Sequence, residues 1–264
     1  MSLAFATSHD RLRPLRYLWR VPLLLLHVLL GVLLCAGILS WNKHRVMRRG
    51  REPFAHRMIR WWSTVLLRIF GLRAVRFGTP LPDPVLFIAN HTSWIDIVLL
   101  HSQRAACFVA KAEIARWPLV GWLAASGGTI FHRRGSNHSL AAVMQVMVER
   151  LRGGRSVAVF PEGGTGYGGV LRVFHARIFQ AALDAPALVQ PVALRFVRDG
   201  QRVIDAGFRE GENFMHNLLR MLGEAPLDAE VRFLDAVPAT PEARRRMAEL
   251  SRERIAAALE ASPS

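Results

Sequence analysis

The sequence predicts an α/β fold, a central mixed or parallel sheet flanked by helices and preceded by an N-terminal membrane helix. Short apolar runs of β-forming residues alternate with helical stretches through most of the chain. Several of these runs end in a polar or glycine-rich elbow, where open sheets commonly present reactive side chains. Ahead of them, residues 21–39 run about 19 positions without a formal charge, long enough to cross or deeply enter a bilayer. With 264 residues, 51% of them hydrophobic, the chain can bury one substantial core.

Four segments follow from this pattern. Residues 1–20 are polar and basic, with Arg11, Arg13, Arg16 and Arg20 against Asp10. Residues 21–40 form the transmembrane or re-entrant helix, in which His27 is expected to be neutral. Both of its flanks are basic, so charge does not orient a single span, and a helix with both ends cytoplasmic is consistent with the sequence. Residues 41–78 are read as an amphipathic, interfacial helical segment. Here Trp61 and Trp62 lie among Arg57, Arg60 and Arg68, and an ordinary helix packed on the core fits equally well. Residues 79–264 make up the main domain.

Within that domain Val85–Ala89 is a buried strand after a proline-rich turn. It gives way to the polar Asn90-His91-Thr92-Ser93 and then to an apolar helix. On one continuous helix His91 and Asp96 would stand about 140° apart. They meet only if His91 occupies the elbow and Asp96 the first helical turn, where the carboxylate fixes the imidazole tautomer. A capping box, with Ser93 as N-cap and Asp96 three residues later, is the plainer reading, and both can hold together. Residues 106–110 are a second strand, and 111–125 a helical stretch interrupted by Pro118 and Gly121. Residues 127–131 supply a turn and a third strand, closing in His132-Arg133-Arg134. Residues 139–152 are an amphipathic helix stopped by Gly153-Gly154, and 156–160 a fourth strand. The loop Pro161-Glu162-Gly163-Gly164-Thr165-Gly166 lets backbone N–H groups approach a ligand, yet lacks the Lys-Ser/Thr of a Walker loop. Residues 173–183 are read as a helix, 187–197 as a strand, 207–223 and 241–261 as closing helices, with a strand near 230–233.

The formal charge of +15 demands an acidic partner. Nucleic acid is excluded as the best candidate, since no zinc-finger spacing or RNA-binding aromatic signature is present. An anionic membrane surface or an acidic carrier protein fits better. Cys35 and Cys107 compose neither a disulfide framework nor a metal site.

Taken singly, His91/Asp96, Arg134 and Glu162 are weak signals, but their order is specific. Asn90-His91-Thr-Ser-Trp-Ile-Asp96, Gly128-Thr-Ile-Phe-His-Arg-Arg134, Phe160-Pro-Glu162-Gly163 and Val189-Gln-Pro-Val192 resemble the four motifs of the lysophospholipid (1-acylglycerol-phosphate type) acyltransferase family. The intervening Val109-Ala-Lys-Ala-Glu113, Trp117-Pro118 and Gly121 are similar to its linker. This resemblance covers about residues 80–235 and implies a glycerolipid acyltransferase-like domain over 79–264. It implies His91 as general base and Asp96 as its orienter, with Glu162, Gly163, Gly164, Thr165 and Arg134 holding a lyso-lipid acceptor. Further implications are an acyl carrier protein or CoA thioester as co-substrate, no cofactor and no metal, and a cytoplasmic active domain at the inner membrane.

One departure bears on the acceptor. Where the family commonly has Glu-Gly-Thr-Arg, this chain has Glu162-Gly163-Gly164-Thr165-Gly166, and His175 stands where a lysine or arginine is frequent. A lyso-aminolipid such as lyso-ornithine lipid is therefore expected as acceptor, with Arg134 or Arg172 as alternative sources of a phosphate-binding charge. Two other functions remain open: a non-catalytic membrane protein with a degenerate acyltransferase fold, and a thioesterase that releases free fatty acid without an acceptor.

Overall fold

The computed structural model describes residues 10–41, 54–133, 137–166, 169–238 and 244–261. Helices α1 (Arg13–Trp41) and α2 (Phe54–Ile69) lead into β1 (Leu72–Phe77), β2 (Val85–Ala89), α3 (Ile95–Gln103) and β3 (Cys107–Lys111). Next come α4 (Val120–Ser126), β4 (Ile130–His132), α5 (Asn137–Arg152), β5 (Val157–Val159) and α6 (Gln180–Asp184). The chain closes through β6 (Leu188–Arg198), β7 (Gln201–Arg202), α7 (Phe214–Gly223), β8 (Leu227–Phe233) and α8 (Arg244–Glu260).

The strands build one mixed sheet in the order β1-β8-β6-β2-β5-β3-β4, with β7 folded back on β6. Strand β2 lies in the middle, parallel to both β6 and β5, and every one of its residues is buried. A strand covered on both faces reads as an unbroken apolar run, which is why Val85–Ala89 was legible. Its alternate side chains feed two cores. Val85, Phe87 and Ala89 pack on the side of α2, α3 and α7, whereas Leu86 and Ile88 face α5, α6 and α8.

Several boundaries differ from the sequence expectation. The first helix begins at Arg13, so the basic segment expected over 1–20 does not end where the helix starts. Arg16 donates to Gly223 O at 3.0 Å, and Arg20 donates to Leu222 O and Glu224 O at 2.9 and 2.8 Å. Tyr17 Oη donates to Leu219 O at 2.8 Å. The basic turns are thus ordered by the carbonyl end of α7, where cations are favoured by the helix dipole. Of the segment expected over 41–78, residues 42–53 lie outside the described residues, and α2 ends at Ile69. Gly71 turns the chain at φ +75°, and β1 then pairs with β8. Its arginines made this edge strand resemble the tail of an amphipathic helix. Arg73 instead holds Asp228 with two 2.7 Å bonds across the strand pair.

Pro118 splits the 111–125 stretch into a 3₁₀ turn (Ala112–Arg116) and α4. The helix expected over 173–183 starts only at Ala176, as a 3₁₀ turn, and runs to Asp184. The helix expected from 207 starts at Phe214, capped by Asn213, which accepts from His216 N at 2.9 Å. Helix α1 crosses α2 at His27, whose ring stacks on Trp62 at 4.8 Å while Nε2 contacts Trp62 O at 3.0 Å. Elsewhere much of α1 is bare: a stretch of mean hydropathy 2.1 leaves Leu18, Leu25, Leu26 and Leu33 more than half exposed.

Candidate active site

The elbow after β2 begins with a substitution of side chain for backbone. Asn90 Nδ2 donates to Leu194 O at 2.9 Å, and its Oδ1 accepts from Leu194 N at 2.8 Å. Its amide therefore continues the β2–β6 ladder while the main chain turns away. His91 is released from the sheet at this point and lies stacked on Phe160, centroids 3.9 Å apart and planes 11° apart.

Asp96, fully buried in the first turn of α3, lies against the imidazole. His91 Nδ1 and Asp96 Oδ2 are 3.0 Å apart. The same oxygen accepts from Thr92 N at 2.6 Å and Ser93 N at 2.8 Å, and Oδ1 accepts from Thr92 Oγ1 at 3.2 Å. A carboxylate oxygen can only accept from these backbone and hydroxyl donors. Its place beside Nδ1 favours the tautomer in which Nδ1–H donates to Asp96 and Nε2 faces away from the carboxylate. The Ser93 N–H bond is half of the capping box read from the sequence. The other half is absent, because Ser93 Oγ accepts from Ile95 N at 3.4 Å, not from Asp96 N.

Glu162 closes the elbow from the opposite side. Its Oε1 accepts from His91 N at 2.8 Å and its Oε2 from Arg172 N at 3.1 Å, so both oxygens are engaged with backbone. Burial pushes this carboxyl up from its ordinary value, and the Arg172 and His91 N–H bonds oppose that push. Gly163 sits at φ +68°, where an added Cβ would lie 3.1 Å from His175 Nε2. Gly166 N donates to His91 O at 2.7 Å, tying the glycine loop to the elbow. Gly163, Gly164 and Thr165 line a large cavity, whereas the Arg172 side chain is exposed. Arg134 lies outside the described residues.

That cavity, about 1250 Å³, runs from His91 and Phe160 towards α1 and α2, and apolar side chains such as Leu24, Val28, Met58 and Ile97 form its walls. Cationic and imidazole groups (Lys111, His132, His175 and Arg177) also border it. Among the described residues, no group of three or more His, Cys, Asp and Glu side chains is placed to hold a metal.

Sequence reasoning missed a second ring of polar groups behind the elbow. Trp94 Nε1 donates to Asn217 Oδ1 at 2.9 Å, and Asn217 Nδ2 donates to Gly207 O and Glu212 Oε2. Arg220 holds Glu212 through Nε at 2.7 Å and donates to Gly207 O at 2.7 Å. Phe208 N then donates to Thr92 O at 3.0 Å, inside the histidine motif itself. An added Cβ on Gly207 would fall 2.7 Å from Thr92 Cβ, so only glycine fits that approach. The available signal was Asn213, Asn217 and Arg220, a polar stripe at helical spacing within the stretch read as a closing helix.

Comparison with known proteins shows the family. The family model described as Acyltransferase matches residues 74–195. The chain is 36% identical over 247 residues to a lyso-ornithine lipid O-acyltransferase of Pseudomonas aeruginosa, covering 93% of this chain and 94% of that one. It is 39% identical over 126 residues to a 1-acyl-sn-glycerol-3-phosphate acyltransferase of Neisseria gonorrhoeae, 48% of this chain and 49% of the relative. The crystal structure of the 1-acyl-sn-glycerophosphate acyltransferase of Thermotoga maritima shares the fold. Its TM-score is 0.68 at 16% identity, over 96% of this chain and 98% of that one. A relative matched over nearly the whole chain and the matched domain agree, and the chain belongs to the acyltransferase family that includes the lyso-ornithine lipid and 1-acylglycerol-3-phosphate enzymes.

Proposed function

We propose that the chain transfers a fatty acyl group from an acyl carrier protein or CoA thioester to the free hydroxyl of a lyso-lipid, with lyso-ornithine lipid as the preferred acceptor. The observation that carries the chemistry is His91 Nδ1 at 3.0 Å from the buried Asp96 carboxylate. His91 Nε2 takes the acceptor's hydroxyl proton as its oxygen attacks the thioester carbonyl. The C–S bond then breaks, the ester forms, and the thiolate leaves with the proton returned from His91. Asp96 holds the tautomer and stabilises the imidazolium, while the substrate supplies the nucleophile that a serine hydrolase would carry itself. Glu162 supports the step by fixing the His91 and Arg172 backbones, and Gly163, Gly164 and Thr165 give the acceptor a close approach. The apolar cavity suits an acyl chain. No metal or cofactor is needed for this sequence of steps.

The acceptor assignment rests on two observations. The loop after Glu162 carries Gly164-Thr165-Gly166 in place of an arginine, and the relative matched over nearly the whole chain is named for lyso-ornithine lipid. We place α1 in the membrane and the domain on its cytoplasmic face, where the basic surface meets anionic lipid and an acidic carrier.

The test is transfer from a labelled acyl thioester to a panel of lyso-lipids, with His91→Ala as control. Ester formation on lyso-ornithine lipid, abolished in the variant, is the expected result. Preference for lysophosphatidic acid would overturn the acceptor assignment and direct attention to Arg172 and Arg177. Release of free fatty acid without an acceptor would make the chain a thioesterase, and transfer unaffected by His91→Ala would remove the base.

A further inference from the structure

The segment between β3 and β4 exposes more apolar surface than a water-facing connection tolerates. Trp117, Leu119, Val120 and Trp122 are each 38–41% exposed within six residues, and Ala115 is exposed beside them. The segment is rigidly shaped. Leu119, not a glycine, adopts φ +64°, and Gly121 is buried so closely that an added Cβ would lie 2.5 Å from Ala115 O.

Its neighbours extend the same apolar surface. Helix α4 contacts α1, and α1 in turn contacts α7, whose Met215 and Leu219 are also exposed. Trp117 packs on Phe214 of α7 with centroids 5.0 Å apart. The apolar side chains of this segment therefore continue the bare leucine surface of α1. Exposed Lys111 and Arg116 flank them, against the single exposed acid Glu113. Tryptophans beside basic heads are the composition of a membrane interface. Trp117, Leu119 and Val120 also border the cavity that leads to His91.

We infer that Trp117–Trp122 is a second membrane contact, an apolar wedge that seats in the same leaflet as α1 and forms the edge of the cavity mouth through which bilayer lipid enters. This inference rests on the reading of α1 as a membrane helix. Trp122 is exposed without bordering the cavity, so it tests the contact apart from substrate binding.

The experiment uses the full chain, with Cys35 and Cys107 replaced by Ser, in nanodiscs of phosphatidylethanolamine and phosphatidylglycerol. A nitroxide is attached at Trp122→Cys, or separately at Leu26→Cys on α1, and its access to oxygen is compared with its access to a water-soluble nickel chelate. Oxygen-rich, chelate-poor signals at both positions are expected. A lipid signal at residue 26 with a water signal at residue 122 would overturn the wedge alone. Water signals at both would overturn the membrane reading of α1 as well. A kinetic arm compares Trp122→Glu with Trp122→Phe on acceptor held in vesicles and in detergent micelles. Trp122→Glu should raise the apparent KM for vesicle-held acceptor about tenfold, leave micellar kinetics unchanged, and be rescued by Phe. Equal loss in vesicles and micelles would mean a folding defect and overturn the assignment.

Discussion

At the scale of single residues, two carboxylates organise the site through the backbone N–H groups they hold. Asp96 serves three N–H donors with one oxygen, and Glu162 ties two loops together through their backbones. Asp96→Asn should keep the fold, since an amide oxygen can still accept from Thr92 and Ser93, but its NH₂ group favours the wrong imidazole tautomer. In a serine-protease triad the same change costs about 10⁴ in kcat. We expect a fall on that order in kcat here, with acceptor KM little changed, measured by initial rates beside a melting curve. Asn217→Ala acts one step further back. Loss of its bonds to Trp94, Gly207 and Glu212 leaves buried groups unpaired and should lower stability by about 1–3 kcal/mol in denaturant unfolding. His91, Asp96 and Glu162 were legible in the sequence because they sit in short motifs at the ends of apolar runs. Asn217 and Arg220 were not, because the histidine motif that their cluster backs lies more than a hundred positions away, and only folding brings the two together.

Among elements, the central strands read clearly and the edges did not. Strand β2 is apolar on both faces, as a strand buried on both sides must be, while β1 carries arginines because one side of it meets solvent. The 173–183 and 207–223 stretches lost their first turns to irregular segments, which hydrophobic spacing alone does not distinguish from helix. The loop before α7 is held by Glu212 and Arg220, both nearly buried, and the Arg220 hydrogen bond draws the Glu212 carboxyl from its ordinary 4.5 down to about 2. A lowered acid stabilises the fold fully above its unfolded value and loses that contribution as pH falls through its folded value. The wild-type advantage over Glu212→Gln should therefore be greatest above about pH 4.5 and shrink between about pH 4.5 and 2, read by paired melting curves.

For the whole molecule, the charge of +15 is the property with the longest reach. Attraction to an anionic surface is screened within about 10 Å at 0.1 M salt. Binding to vesicles rich in phosphatidylglycerol should weaken steeply as salt is raised, whereas the residual binding to neutral vesicles, set by α1, should not; co-sedimentation separates the two. Helix α1 is also a working part of the domain. Arg16, Tyr17 and Arg20 occupy the carbonyl end of α7, and the other end of that helix anchors the ring behind Trp94. Trimming the chain ahead of α2 to obtain a water-soluble enzyme would therefore strip the stopper from α7 along with the anchor. The inactivity of such a fragment would report a loosened support for His91 as much as a lost hold on lipid.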